Sequence, residues 1–209
     1  MSDNRESAMG RRSYSRTMTS PTPTTALATS ALATTALATS ALATTALATT
    51  VLHRLDSPIG RIELLGNGAA IVSLTIERNG VLPHDGHDEA SDAILDRAAK
   101  QLSEYFAGTR TTFDVPIALQ GTEFQRSVWA LLADLKFGEV TSYGGLGRST
   151  GRATAGRAVG GAVGANPVPI LVPCHRVLAA HRRITGYSAG NGIPTKVWLL
   201  DHEGIDHRR

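Results

Sequence analysis

Five consecutive copies of the pentad Ala-Leu-Ala-Thr-(Ser/Thr), from Ala26 to Thr50, set the first limit on how this 209-residue chain folds. A repeat of five coincides with neither the helical nor the strand period, so no continuous apolar face forms. Residues 1–50 are expected to be a disordered low-complexity tail. No charge falls between Ala26 and Leu52, and Arg11, Arg12 and Arg16 precede that stretch, as in a membrane span or secretory signal. Ser and Thr fill two positions of each pentad, however, which leaves the hydropathy weak for either.

The folded body is therefore expected beyond residue 50. Its only cysteine is Cys174, which excludes an internal disulfide framework and a multi-cysteine zinc site. A lone thiol suits a reducing compartment such as the cytoplasm. His84 and His87 alone make a thin ligand set, so no metal is expected. The net charge of +3 is unevenly spread: +2 over residues 1–50, −4 over 51–120 and +5 over 121–209. No acid lies between Glu139 and Asp201, a span holding Arg148, Arg152, Arg157, Arg176, Arg182, Arg183 and Lys196. Such a segment favours a polyanionic partner, although a solvated basic face has the same composition.

Val51–Leu55, Arg61–Leu65 and Ala70–Ile76 read as strands separated by Ser57-Pro58-Ile59-Gly60 and Gly66-Asn67-Gly68 turns. Residues 79–90 read as a polar loop. Ser91 is placed to cap a helix reaching Phe106, with Ile94, Leu95, Ala98, Leu102 and Tyr105 on one face. Thr112–Leu119 reads as a further strand, so residues 51–119 are expected to be a small α/β domain. Thr122 and Gln125 fit a capping box opening a helix that Gly138 ends, with Phe124, Val128, Leu131, Leu132 and Leu135 as its stripe. Ser142 caps a short helix to Ser149, Gly151 turns the chain, and a second helix runs from Thr154 to Ala165. The pattern is that of a helix-turn-helix, or of two ordinary packed helices. The fold class expected is α+β, with a mainly helical domain over residues 120–209.

Pro167, Pro169 and Pro173 exclude a regular helix from the segment that ends in Cys174-His175-Arg176. A thiol needs a base and positive charge nearby to become a nucleophile, and these neighbours supply both residue types. A structural buried cysteine is the alternative.

Pro173-Cys174-His175-Arg176-Val177 resembles the active-site signature of the 6-O-alkylguanine-DNA alkyltransferases (methylated-DNA–protein-cysteine methyltransferases). The similarity extends in order through Thr141–Gly144, Arg157–Ala162, Asn166-Pro167, Thr185–Tyr187, and Lys196–Leu200 with Glu203. This resemblance implies single-turnover transfer of an alkyl group from guanine O6 to Cys174, with no cofactor. It implies that His175 is the base acting through a water, that Glu203 orients it, that Asn166 holds the active-site turn, and that Tyr143 protonates the departing guanine. Tyr187, Ser188, Val177 and Pro173 would then line the alkyl pocket. Arg157 would enter the duplex in place of the flipped base, with Ala155, Ala158, Gly161 and Arg176 also against DNA. The implied partner is double-stranded DNA holding an alkylated guanine, gripped through its minor groove by a monomer, with no membrane role.

This chain departs from many relatives at Ala153, where proline is common, and at Ala189, where glycine is common. It has His181-Arg182-Arg183 where a Ser/Asp-Gly pair often stands, and glycine there allows a tight turn that Arg182 disfavours. Residues 190–195 form a longer segment than usual. Two other functions remain compatible with the residues alone. One is a Cys-His hydrolase or acyltransferase, which needs an oxyanion hole; the other is a non-catalytic helix-turn-helix regulator or lesion sensor.

Overall fold

The computed structural model describes residues 50–151 and 156–209. The expectations for residues 1–49, and for Arg152, Ala153 and Ala155, lie outside these. Strands β1 (Val51–Leu55), β2 (Ile62–Gly66) and β3 (Ile71–Ile76) form an antiparallel sheet in that order. Ile62 faces Ile76 and Leu64 faces Leu74 across the β2–β3 ladder, and all four are buried. Such cross-strand apolar pairs stabilise the sheet and fix its register. Asn67 makes the β2–β3 turn, its Oδ1 accepting the N–H groups of Ala69 (3.0 Å) and Ala70 (2.9 Å).

Helix α1 (Ala93–Phe106) packs on β1 and β2 and buries Leu95, Ala98, Leu102 and Tyr105. Its cap is Asp92, not Ser91: the carboxylate accepts the N–H groups of Ile94 and Leu95, while the Ser91 hydroxyl turns to Asp96. An ionised acceptor at the positive end of a helix outcompetes a neutral hydroxyl. The strand expected over Thr112–Leu119 does not form. A single bridge joins Ile71 to Ile117, with Ile71 N–H donating to the Pro116 carbonyl and Ala118 N–H to that of Ile71, both at 2.9 Å. Pro116 has no N–H to extend the ladder.

The Thr122–Gln125 capping box is present, Gln125 N–H donating to Thr122 Oγ1 (3.2 Å) and Thr122 N–H to Gln125 Oε1 (2.8 Å). Helix α2 (Glu123–Ala133) then stops well before Gly138. The carbonyl of Leu135 accepts instead from Arg176 Nη1 at 2.7 Å, and Gly138, at φ +80°, turns the chain onward. Strand β4 (Thr141–Ser142) leads into α3 (Tyr143–Ser149), whose first turn is capped by Ser142 Oγ accepting from Gly145 N–H at 3.0 Å. After Gly151 comes α4 (Gly156–Gly164), packed on both α3 and α2, completing the helix-turn-helix. The indole N–H of buried Trp129 donates to the Ala162 carbonyl at 2.8 Å, pinning α4 to α2.

The proline-spaced segment follows α4 and reaches back to the sheet, where Leu74 N–H donates to the Pro167 carbonyl at 2.8 Å. It ends in a 3-10 turn, Cys174–Arg176, and then strand β5 (Val177–Leu178), which pairs in parallel with β4. The tight turn that Arg182 disfavours forms nonetheless, with His181 at φ +58° and Arg182 at φ +60°. Helix α5 (Ile193–His202) closes the chain and buries Lys196, Leu199 and Leu200. No helix among the described residues is long and apolar enough to cross a membrane.

Trp129→Phe is expected to cost about 1–3 kcal/mol by leaving the Ala162 carbonyl without a donor. Urea unfolding should show a lower midpoint at unchanged m-value.

Candidate active site

Asn166 builds the turn before the thiol. Its Nδ2 donates to the Val172 carbonyl at 2.7 Å and its Oδ1 accepts from Val168 N–H at 3.1 Å. The turn so closed holds Ile170, buried and β-branched, at φ +74°. A bulky residue in that region costs on the order of 1–3 kcal/mol and persists only where its surroundings enforce it. Cys174 N–H then donates to the Val172 carbonyl at 2.8 Å, fixing where the thiol begins.

Cys174 and His175 are both buried, and Glu203, at the C-cap of α5, is buried beside them. The Glu203 carboxylate accepts from His175 Nε2 (2.8 Å), Arg176 Nε (2.7 Å) and Nη2 (2.9 Å), the Tyr105 hydroxyl (2.8 Å) and Gly138 N–H (3.3 Å). Burial alone would raise its pKa. The hydrogen bonds from His175 and Arg176, with the charge of Arg176, outweigh burial and hold the carboxyl well below the usual range. A carboxylate can only accept, so His175 Nε2 carries the proton and Nδ1 keeps a free lone pair. That Nδ1 is buried and has no partner among the described residues. Burial, against the pull of Glu203, lowers the His175 pKa, which favours the neutral ring.

Burial pushes the Cys174 thiol up, opposed by Asn166, Tyr187 and the charge of Lys196. The resting sulfur is therefore a thiol that must be deprotonated to react. Lys196 is itself buried, its Nζ donating to the carbonyls of Val177 (2.6 Å) and Gly186 (3.4 Å). Burial lowers its pKa to about 8, with Cys174 acting in the opposite sense.

Cys174 lies at a pocket of about 280 Å³ whose walls include Tyr143, Val163, Tyr187 and Ser188. Gly160 and Gly164 of α4 complete one side, so the pocket adjoins the helix-turn-helix. The structure brings Cys174, His175, Glu203, Asn166, Tyr143, Tyr187 and Ser188 together around this site. Arg157, Ala158 and Gly161 lie exposed on α4 and are not among the residues lining the thiol pocket.

Three expected positions need correction. Arg176 is only 5% exposed, with Glu203 and the Leu135 carbonyl as its partners, and is an internal tie rather than a DNA contact. Val177 is fully buried in β5 and does not line the thiol pocket. Pro173 faces a separate cavity of about 220 Å³ on the Arg176 side. The sequence places Tyr105 on an apolar helix face, yet its hydroxyl also donates to Glu203. A tyrosine at the C-terminal end of such a face is the available signal, since a buried phenol needs a polar partner. The His84 and His87 rings meet in a T-shaped, edge-to-face arrangement, with His84 Nδ1 2.6 Å from Glu63 Oε1. Among the described residues no group of three or more His, Cys, Asp or Glu side chains is placed to hold a metal ion.

A buried thiol beside a histidine–carboxylate pair, opening next to a helix-turn-helix, defines a cysteine-centred protein built on a DNA-binding scaffold. Residues 123–205 match the family model described as 6-O-methylguanine DNA methyltransferase, DNA binding domain. Residues 50–119 match that of its ribonuclease-like domain. The chain is 42% identical over 149 residues to the methylated-DNA–protein-cysteine methyltransferase of Mycobacterium tuberculosis (strain CDC 1551 / Oshkosh), covering 71% of this chain and 89% of that one. A Methanosarcina acetivorans protein of the same name is 41% identical over 151 residues, covering 71% and 95%. Among solved structures, the M. tuberculosis O6-methylguanine methyltransferase superposes with a TM-score of 0.66 at 40% identity, covering 74% of this chain and 92% of that one. M. tuberculosis OGT in complex with DNA gives 0.65 at 40% identity, covering 73% and 92%. The chain belongs to the 6-O-methylguanine DNA methyltransferase family.

Glu203→Gln is expected to cost about 3–5 kcal/mol at pH 7, because it strands Arg176 in the interior. The folded carboxyl has a depressed pKa, so its stabilisation is present above the unfolded value of ~4.3 and is lost as pH falls below it. Thermal unfolding from pH 7 to pH 3 should therefore show a shallower acid loss in the variant than in the wild type.

Proposed function

We propose that this protein repairs DNA by irreversible transfer of an alkyl group from guanine O6 to Cys174 Sγ. The supporting observation is the buried Cys174 at the pocket beside α4, with the His175 Nδ1 lone pair left free while Glu203 holds Nε2. In the forward step the thiol proton passes to His175 Nδ1 through a water, and Glu203 stabilises the imidazolium that forms. Sγ attacks the alkyl carbon in line, the carbon–O6 bond breaks, and the electron pair leaves with guanine. The Tyr143 hydroxyl protonates the departing ring, since a guanine anion is a poor leaving group. Ser188, in the pocket lining, binds O6 in this reading. No step returns the thiol, so each molecule acts once.

The target carbon is unreachable in a stacked duplex, so the nucleotide must be flipped out at a cost of a few kcal/mol. Arg157, exposed on α4, fills the gap left behind. A Cβ added at Gly156, Gly160, Gly161 or Gly164 meets no described atom within 4 Å. These glycines weaken α4 without any packing requirement inside the chain. Their bare backbone suits close approach to a narrow minor groove. The protein acts as a monomer in the cytoplasm, where its single thiol stays reduced. Division of labour follows the sequence: residues 51–119 buttress, and residues 120–209 bind DNA and accept the alkyl group.

Incubation with a duplex holding 6-O-methylguanine should raise the intact mass by one methyl, and Cys174→Ala should show no gain. Selective binding without a mass gain would overturn the transfer and make the protein a lesion sensor; no binding and no gain would overturn both readings. Gly161→Ala is expected to stabilise the fold by about 0.5–1 kcal/mol through helix propensity. It should slow reaction with duplex substrate while leaving reaction with free 6-O-benzylguanine unchanged, compared by single-turnover kinetics.

A further inference from the structure

The wall of the thiol pocket formed by Ser188 is held by the segment that follows β3. Arg78 lies at the end of β3, at the foot of a tight Asn79-Gly80 turn with φ of +52° and +82°. Reciprocal Arg78–Val81 backbone hydrogen bonds of 3.1 Å close that turn. Two left-handed residues in a two-residue loop are the stiff hairpin form that an Asn-Gly pair favours. From this platform Arg78 Nη2 donates to the Ser188 carbonyl at 2.7 Å and Nε to that of Gly190 at 2.8 Å. Asn79 N–H donates to Asn191 Oδ1 at 3.0 Å. Gly190, at φ +52°, is wedged so tightly that a Cβ would lie 2.7 Å from Thr195 Oγ1 and 3.0 Å from Ile76 Cγ2. Behind this wall lies a second cleft of about 690 Å³, lined by Arg78, Leu74, Pro167 and Ala189. It shares Ser188 and Gly164 with the 280 Å³ thiol pocket.

We propose that Arg78 is a positioning residue that sets the size of alkyl group accepted, by fixing the Ser188–Gly190 wall between the thiol pocket and the cleft behind it. This rests on the alkyl-transfer reading of Cys174. With the clamp in place the wall is fixed at a spacing suited to a small substituent. With it removed the wall can yield into the cleft, which gives a larger substituent room beside the thiol. Arg78 acts only through carbonyls and touches no reacting atom.

The test compares single-turnover rates for 6-O-methylguanine and 6-O-benzylguanine placed in the same duplex. Arg78→Ala should raise the benzyl-to-methyl rate ratio by roughly tenfold, the scale on which one pocket contact separates related substrates. Arg78→Lys, which keeps one donor, should restore the ratio in part. Asn191→Ala, which removes only the Asn79 tie, should shift it in the same direction by less and serves if Arg78→Ala does not fold. An unchanged ratio, or both rates falling alike, makes Arg78 a structural residue and overturns the inference while leaving the alkyl-transfer reading intact. A wild-type protein that accepts neither group overturns both.

Discussion

Glu203 is the point on which the interior of this protein turns. Five donors converge on its two oxygens, from α1, from the turn after α2 and from the 3-10 turn that carries the thiol. Each of those donors is costly to bury alone, and one carboxylate satisfies them together. Because the acceptor sits at the C-cap of α5, the end of the chain closes over a segment that begins beside the sheet. The same carboxylate fixes the histidine tautomer. The arrangement that stabilises the fold is thus also the one that leaves the Nδ1 lone pair of His175 free.

The polarity of the site follows from burial. Cys174 is driven toward its neutral form and His175 toward its own, so the pair rests uncharged. Lys196 is similarly pressed toward neutrality, yet its ammonium is held by carbonyls close enough to favour a thiolate once one forms. Charge on the Cys174–His175 pair therefore develops only during reaction, in a region already lined with donors. Preorganisation of this kind avoids the reorientation that water would require.

Much of this was legible in the residues. The capping box at Thr122, the Ser142 cap and the three N-terminal strands depend on local chemistry, and they form within a residue of where the pattern puts them. The failures have local causes of another kind. Pro116 stops a strand whose apolar pattern is otherwise sound, and Asp92 takes a cap from its neighbour Ser91. Arg176 reads as one more cation in an acid-free stretch because its partner, Glu203, lies 27 residues away. Tyr105 meets the same carboxylate across 98 residues, a pairing that no periodicity encodes. The order of the motifs revealed the chemistry of the site; its supporting shell needed three dimensions.

The turn at His181 and Arg182 carries a different consequence. Both residues are exposed and both occupy backbone conformations that glycine would hold without strain. The loop is therefore not at its stability optimum, and a single change would relieve it at no packing cost. An exposed turn of this kind can exchange residues more readily than the carboxylate-centred interior, so variation among relatives should collect at such turns and thin out toward the thiol.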